Sequence, residues 1–314
     1  MPRNIAPSIK IKTDLEADVS IFTEYLTHPK RVSYRQLILK AHPALTQSLA
    51  GQPQRKVRTL VREYLETAYT ENRRAIERNI ASNRLLLKKS DKAFGTLYAL
   101  MDYRPAKRQT YTAISTFLPF CPFDKKSFRF YAVPKENSPE QSILAIALHE
   151  ISHLLFFEQL AEWKKESGKK LNEEAKYYFK EALTAALMND ERLEKLIGYR
   201  SYKGNRLLWN LCLKSGPNNP LPIVKYLQRN ILSEKSDYKE RLYKTLNSFS
   251  HIQSCFIEKR RLWDRLSLNP NDQKLVEQYK TPIKINPTDS NKQRLHRRSI
   301  SGLRQCRCNR KDTR

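Results

Sequence analysis

Glycine is scarce, with 7 residues in a chain of 314. No G-x-G-x-x-G or Walker-type run occurs, which argues against glycine-rich phosphate loops and doubly wound nucleotide-binding sheets. Cysteine is sparse as well. The five residues Cys121, Cys212, Cys255, Cys306 and Cys308 are odd in number and scattered, so they form no disulfide framework. Cys306-x-Cys308 offers too few ligands for a metal site of its own. Long apolar runs are also missing. The most apolar stretch, Ile143 to Phe157, is interrupted by two histidines and a glutamate, and reads as too short and too polar to span a bilayer. The opening Met1-Pro2-Arg3-Asn4 leads into polar sequence without the apolar centre of a secretory signal. These absences set the expectation of a reducing, cytoplasmic setting.

Acidic residues are the remaining shortage. Lys and Arg number 59 against 32 Asp and Glu, a net charge of +27. Residues 281–314 carry +8 of this and the first 280 residues carry +19, so the body of the chain is basic, not only its end. Such a field favours anionic partners, nucleic acid or acidic protein or headgroups, although a solvated basic surface accounts for the same numbers. No zinc-finger, homeodomain or RNP-like pattern specifies a nucleic-acid mode.

What is present is enough to build a core: 39% of the residues are apolar and 10% aromatic. The pattern reads as α+β and mainly helical. Helical spacing is expected from Asp14 to Leu26, from Arg31 to Leu49 with a break at His42-Pro43, and as one or two helices from Val57 to Met101. The pattern changes at Tyr103-Arg104-Pro105. Gln109 to Leu118 and Ser127 to Val133 are rich in β-branched and aromatic residues and read as two strands joined as an antiparallel hairpin. A helix is expected from Pro139 to about Trp163, with Ser138 as cap, Pro139 in the first turn and Gln141 closing a capping box. Asn172 caps the next, from Glu173 to about Leu187. Three helical stretches follow, at 221–232, 236–249 and 255–267. Residues 268–314 contain prolines and little apolar periodicity and read as a basic, disordered tail. The chain thus divides into a helical region over 1–102, a central domain over 103–267 and the tail.

The informative residues are His149-Glu150-Ile151-Ser152-His153. Histidines four apart lie on one face of a helix, so both imidazoles can reach one metal ion. Glu150 sits about 100° round the helix, placed to act on a metal-bound water rather than to ligate. The flanks, Ile143 to Leu148 and Leu154 to Phe157, are apolar nearly all round, so the helix should be buried. Two imidazoles and a carboxylate in such a place need partners. A metal ion satisfies all three, and a hydrogen-bonded core cluster is the plainer alternative. A compact third ligand is absent, because Phe156 and Gln159 stand where the glycine and third histidine of H-E-x-x-H-x-x-G-x-x-H would be. Glu181 is the candidate, on a helix whose Ala182, Ala185 and Ala186 permit close approach. Glu158, Glu162, Glu166, Glu173 and Glu174 compete for the role.

These motifs resemble the gluzincin branch of zinc metallopeptidases. The likeness is closer to little-characterised bacterial zincin-like proteins with a K-E-A-L/S-T second motif than to thermolysin-like enzymes, and spans roughly residues 109–190. It implies a zincin-like catalytic core with a small antiparallel sheet packed on the active-site helix. It implies a Zn2+ cofactor held by His149, His153 and Glu181, Glu150 as general base and acid, and a peptide or protein substrate. Thermolysin-like enzymes carry Asp four residues after the third ligand to support a zinc-bound histidine. Ala185 stands there, leaving Thr184, Asn189 or Asp190 for that support. The likeness also suggests Thr110 to Leu118 as an edge strand pairing with extended substrate. For the oxyanion, Tyr177, Tyr178, Tyr199 and His251 are candidates. His28, His42 and His296 have no partner pattern. The competing expectation is a non-catalytic zincin-fold or helical module that binds nucleic acid or an acidic partner through its basic surface.

Overall fold

A computed structural model describes residues 6–29, 31–136, 138–217, 219–232, 237–269 and 271–285. The strands are β1 (Ser8–Lys12), β2 (Thr110–Thr116), β3 (Ser127–Tyr131), β4 (Cys212–Ser215), β5 (Leu221–Pro222) and β6 (Ile283–Ile285). The helices of the first half are α1 (Leu15–Thr27), α2 (Val32–Ala41), α3 (Pro43–Leu49), α4 (Val57–Glu71), α5 (Arg73–Leu87) and α6 (Asp91–Leu100). Those of the second half are α7 (Ile143–Ser167), α8 (Glu173–Met188), α9 (Glu191–Ile197), α10 (Ile223–Ile231), α11 (Tyr238–Leu268) and α12 (Gln273–Lys280). The protein is mainly helical with two small sheets, consistent with the α+β class. Two compact units are distinguished, one of residues 1–99, 103–154 and 190–200 and the other of 100–102, 155–189 and 201–314.

In the first unit the sheet order is β1-β2-β3, and both pairings are parallel. This corrects the antiparallel hairpin expected from the sequence. Residues 117–126 carry the chain out and back, so β3 starts beside the start of β2, with Thr112 opposite Ser127. Pro119 and Pro122 lack the N–H groups a tight hairpin would use. The antiparallel turn does exist, one arm later. Phe123 bridges Phe128, Asp124 N donates to Ser127 O at 2.8 Å, and Arg129 N donates to Pro122 O at 3.0 Å. Asp124 Oδ1 holds the turn by accepting from the amides of Lys126 and Ser127, each at 2.8 Å. The sequence also missed β1, whose alternating Ile9 and Ile11 stand beside Tyr111 and Ala113.

The helices of this unit bury Val19, Phe22, Leu26, Ile38, Leu45, Val61 and Leu65 in one cluster that Leu118, just past β2, also enters. Asp14 caps α1, accepting from Ala17 N. The one or two helices expected over 57–101 are three, broken near Asn72 and Ser90. Asp18 is fully buried at the end of β2. It accepts from Thr116 Oγ1, from Phe117 N at 3.2 Å and from Tyr69 OH at 3.1 Å. Burial pushes its carboxyl up to about 6, against the opposing pull of those donors and of Arg129.

In the second unit Asn172 caps α8 as expected, accepting from Ala175 N at 2.8 Å. The two stretches expected at 236–249 and 255–267 are the single helix α11. Part of the expected tail is folded: Leu275 and Tyr279 of α12 are buried against Leu266, and Ile283 and Ile285 of β6 are buried beside β4. Lys259 explains why. Its buried ammonium donates to the carbonyls of Gln278, Tyr279 and Thr281, each at 2.7 Å, closing the C-terminal end of α12 where helical carbonyls otherwise lack donors. Residues 286–314, with His296 and Cys306-x-Cys308, lie outside the described residues.

Two outcomes follow. Lys259→Met should lower stability by about 2–4 kcal/mol in urea unfolding and speed amide exchange over 273–285, because three carbonyls lose a charged donor. No change in either would remove the cap. For Asp18, the folded carboxyl titrates at about 6 against 3.8 for the unconstrained group. Its contribution to stability is present in full below the lower value and lost as pH rises through the higher one. Wild type should therefore lose on the order of 2–3 kcal/mol relative to Asp18→Asn between pH 4 and 7, and parallel pH curves would refute it.

Candidate metal centre

The helix α7 begins later than the capping motif suggested. Pro139–Gln141 is a separate 3-10 turn without a side-chain cap, and Gln141 Oε1 accepts from Lys135 N instead. Ser142 is extended (ψ 144°) and its hydroxyl accepts from Ala145 N, so Ser142 starts α7. The helix runs for 25 residues, shifted about four positions along the chain from the expected span, and by length and composition alone could cross a membrane. It is mostly buried in the fold, so it is no clear membrane span. Ile143, Ala147, Leu148, Ile151 and Leu155 are fully buried, as an apolar surface on all sides requires.

Within that apolar helix, Glu150 and Ser152 are buried and His153 is 1% exposed. Ser152 Oγ is satisfied along the helix by His149 O at 2.7 Å. The two imidazoles meet edge to face, centroids 4.4 Å apart, as the four-residue spacing dictates. Phe123, from the arm paired with β3, lies 5.3 Å from the His153 ring. Glu150 Oε1 is 3.9 Å from His149 Nε2, beside the pair without joining it.

The third group is Glu181, on α8. Ala182, Ala185 and Ala186 are all buried there, and Phe179 of α8 stacks on Phe156 of α7 at 5.2 Å. One ligand atom each from His149, His153 and Glu181 lie within 4.8 Å of one another, so the three can hold a metal ion. The donor set fits. Two imidazole nitrogens and one carboxylate oxygen suit zinc and its neighbours, and three protein donors leave a coordination position open.

Four of the five competing acids are engaged elsewhere or exposed, and Glu174 is half-buried in the first turn of α8. Glu162 and Glu166 pair with Lys239 at 3.3 and 3.1 Å, Glu173 pairs with Lys176, and Glu158 is exposed. Of the groups considered for support, Asn189 donates to the carbonyls of Ala185 and Tyr202 at the end of α8, and Asp190 caps α9 and pairs with Arg192. Thr184 is buried one turn beyond Glu181. The proposed edge strand is corrected: β2 is the middle strand, paired on both sides, and has no free edge for a peptide. Of the oxyanion candidates, Tyr178 is buried against Phe256 at 5.6 Å and the exposed His251 lies 3.4 Å from Lys169. Tyr177 OH accepts from Asn205 Nδ2 at 2.9 Å. Tyr199 lies with α9 in the first unit.

The sequence missed three groups that the Glu150 charge influences. Burial, then the Glu150 charge, pushes the Cys121 thiol well above its usual range. The Tyr131 hydroxyl, hydrogen-bonded to Cys121, is pushed up by burial first and by nearby negative groups including Glu150. Burial likewise raises Tyr25, with Glu150 a lesser cause. No family model matches the chain, and no curated protein or solved structure matches it.

The cluster predicts uptake of one divalent ion per chain, measured by elemental analysis after dialysis. His153→Ala and Glu181→Gln should each weaken retention against a chelator by roughly 10–100-fold or more. Equal metal content in wild type and both variants would sink the centre.

Proposed function

We propose that the protein is a zinc-dependent peptidase with a zincin-like core, whose metal ligands are His149, His153 and Glu181 and whose general base and acid is Glu150. The observation that supports this is the convergence of those three donors beside a buried fourth group that can accept a proton. His149, His153 and Glu181 would hold the zinc ion, which would supply Lewis acidity to acidify water and polarise a carbonyl group. Glu150 takes a proton from water as the water oxygen bonds to the carbonyl carbon. It returns that proton to the amine nitrogen as the C–N bond breaks, which leaves a carboxylic acid and an amine. The free thiols of Cys121, Cys212 and Cys255 accord with the cytoplasmic setting that forms part of the proposal.

The substitution that tests the chemistry without dismantling the site is Glu150→Gln. It is isosteric and lies outside the ligand set. Metal content should equal that of wild type, while cleavage of dye-labelled denatured casein falls by about 100-fold or more. Undiminished cleavage by Glu150→Gln, or no cleavage by metal-loaded wild type, would overturn the peptidase reading.

A further inference from the structure

Lys180 stands beside the third ligand in an arrangement that helix geometry does not explain. Consecutive residues on a helix point about 100° apart and do not face each other. Yet the Lys180 ammonium donates directly to Glu181 Oε1, so its side chain is turned toward the carboxylate. Both side chains are largely buried, at 13% and 14% exposure. A lysine on a surface helix ordinarily extends into water. This one gives up most of its hydration and lies 5.5 Å from the centre of the Tyr177 ring. Tyr177 is itself fixed, since its hydroxyl accepts from Asn205 and Arg260 sits 5.7 Å from the same ring.

We propose that Lys180 is the oxyanion donor of the site, a catalytic residue that hydrogen-bonds the substrate carbonyl oxygen as it gains negative charge. The inference rests on the peptidase reading of the same centre. Two features carry it. The first is reach: the ammonium touches a carboxylate that belongs to the ligand set, so a ligand on the same ion comes within the sweep of a flexible lysine. The second is charge. Neutral His149 and His153, anionic Glu150 and Glu181 and a divalent ion sum to zero, and Lys180 makes the centre cationic. When the Glu181 carboxylate shares its charge with the ion, the buried ammonium loses part of its counter-charge, and an oxyanion restores it.

The test uses the full chain loaded with cobalt, whose visible absorption reports ligands at the ion, and acetohydroxamate as an anionic probe. Lys180→Met should keep its cobalt but bind acetohydroxamate roughly 10-fold or more weakly, while Lys180→Arg restores most of the affinity. On dye-labelled casein, Lys180→Met should lose about 100-fold in kcat with KM nearly unchanged. Lys180→Met that binds the probe as tightly as wild type overturns the proposal. Lys180→Met that fails to hold cobalt overturns it too, since Lys180 would then only hold Glu181 in place. If wild type binds the probe in a Lys180-dependent way but cleaves nothing, the anion-binding role stands and the peptidase reading falls. If wild type takes up no cobalt, the metal centre falls and Lys180 loses its role with it.

Discussion

An oily helix that carries two imidazoles and a carboxylate is the constraint on which the rest depends. Helix α7 buries Ile143, Ala147, Leu148, Ile151 and Leu155 on several sides, so it sits inside the protein. Its residues His149, Glu150, Ser152 and His153 go in with it. A buried polar group left without a partner costs about 2–7 kcal/mol, and a charged one more. Ser152 is satisfied by its own helix. The other three are held in a polar cluster by side chains from elsewhere: Phe123 covers one face of His153, and Glu181 brings a carboxylate to the pair. The cluster that could hold a metal ion is also the cluster that makes burial of this helix tolerable.

The N-terminal helices contribute by fixing the crossover between β2 and β3. Leu118 enters their apolar cluster, and His42 contacts Phe117 O at 2.9 Å and Tyr64 OH at 2.8 Å. Burial lowers the pKa of His42, which keeps it neutral and suits it to a hydrogen bond rather than an ion pair. Asp18 takes the amide of Phe117 and the hydroxyl of Thr116. Anchored there, the chain leaves β2, turns through Pro119 to Pro122, and runs antiparallel along β3 where Phe123 meets His153. Phe120 of this segment meets Tyr25 and Tyr34 edge to face, and those two rings meet each other at a tilt, with centroids 4.9–5.3 Å apart. Helical packing some distance back in the sequence thus sets the wall of the site.

Local patterns carried much of this into the sequence. The start of α8 was legible because Asn172 caps by bonding an amide three residues on, a relation a short window contains. The start of α7 was misread within the same window: Ser138 and Gln141 have the right spacing, but the extended backbone at Ser142 separates them from the helix. Strand direction was not legible. Thr110–Thr116 and Ser127–Tyr131 have strand composition either way, and only pairing with β1 and the return along Pro122–Asp124 decides that they run parallel. The folding of 273–285 was hidden for a similar reason. Its few apolar residues look unsupported until Leu266 and the Lys259 ammonium meet them.

By itself the sequence determined the helical character, the basic charge, and the pairing of His149 with His153, because a four-residue spacing is a property of any α-helix. It also nominated Glu181, through an acid on a helix of small residues, without being able to choose it over five other glutamates. Tertiary structure made that choice, since distance between side chains 28 or more positions apart depends on how elements pack and not on their order. It alone turned Lys180 inward onto Glu181, and it alone removed β2 as a free edge by placing a strand on each side.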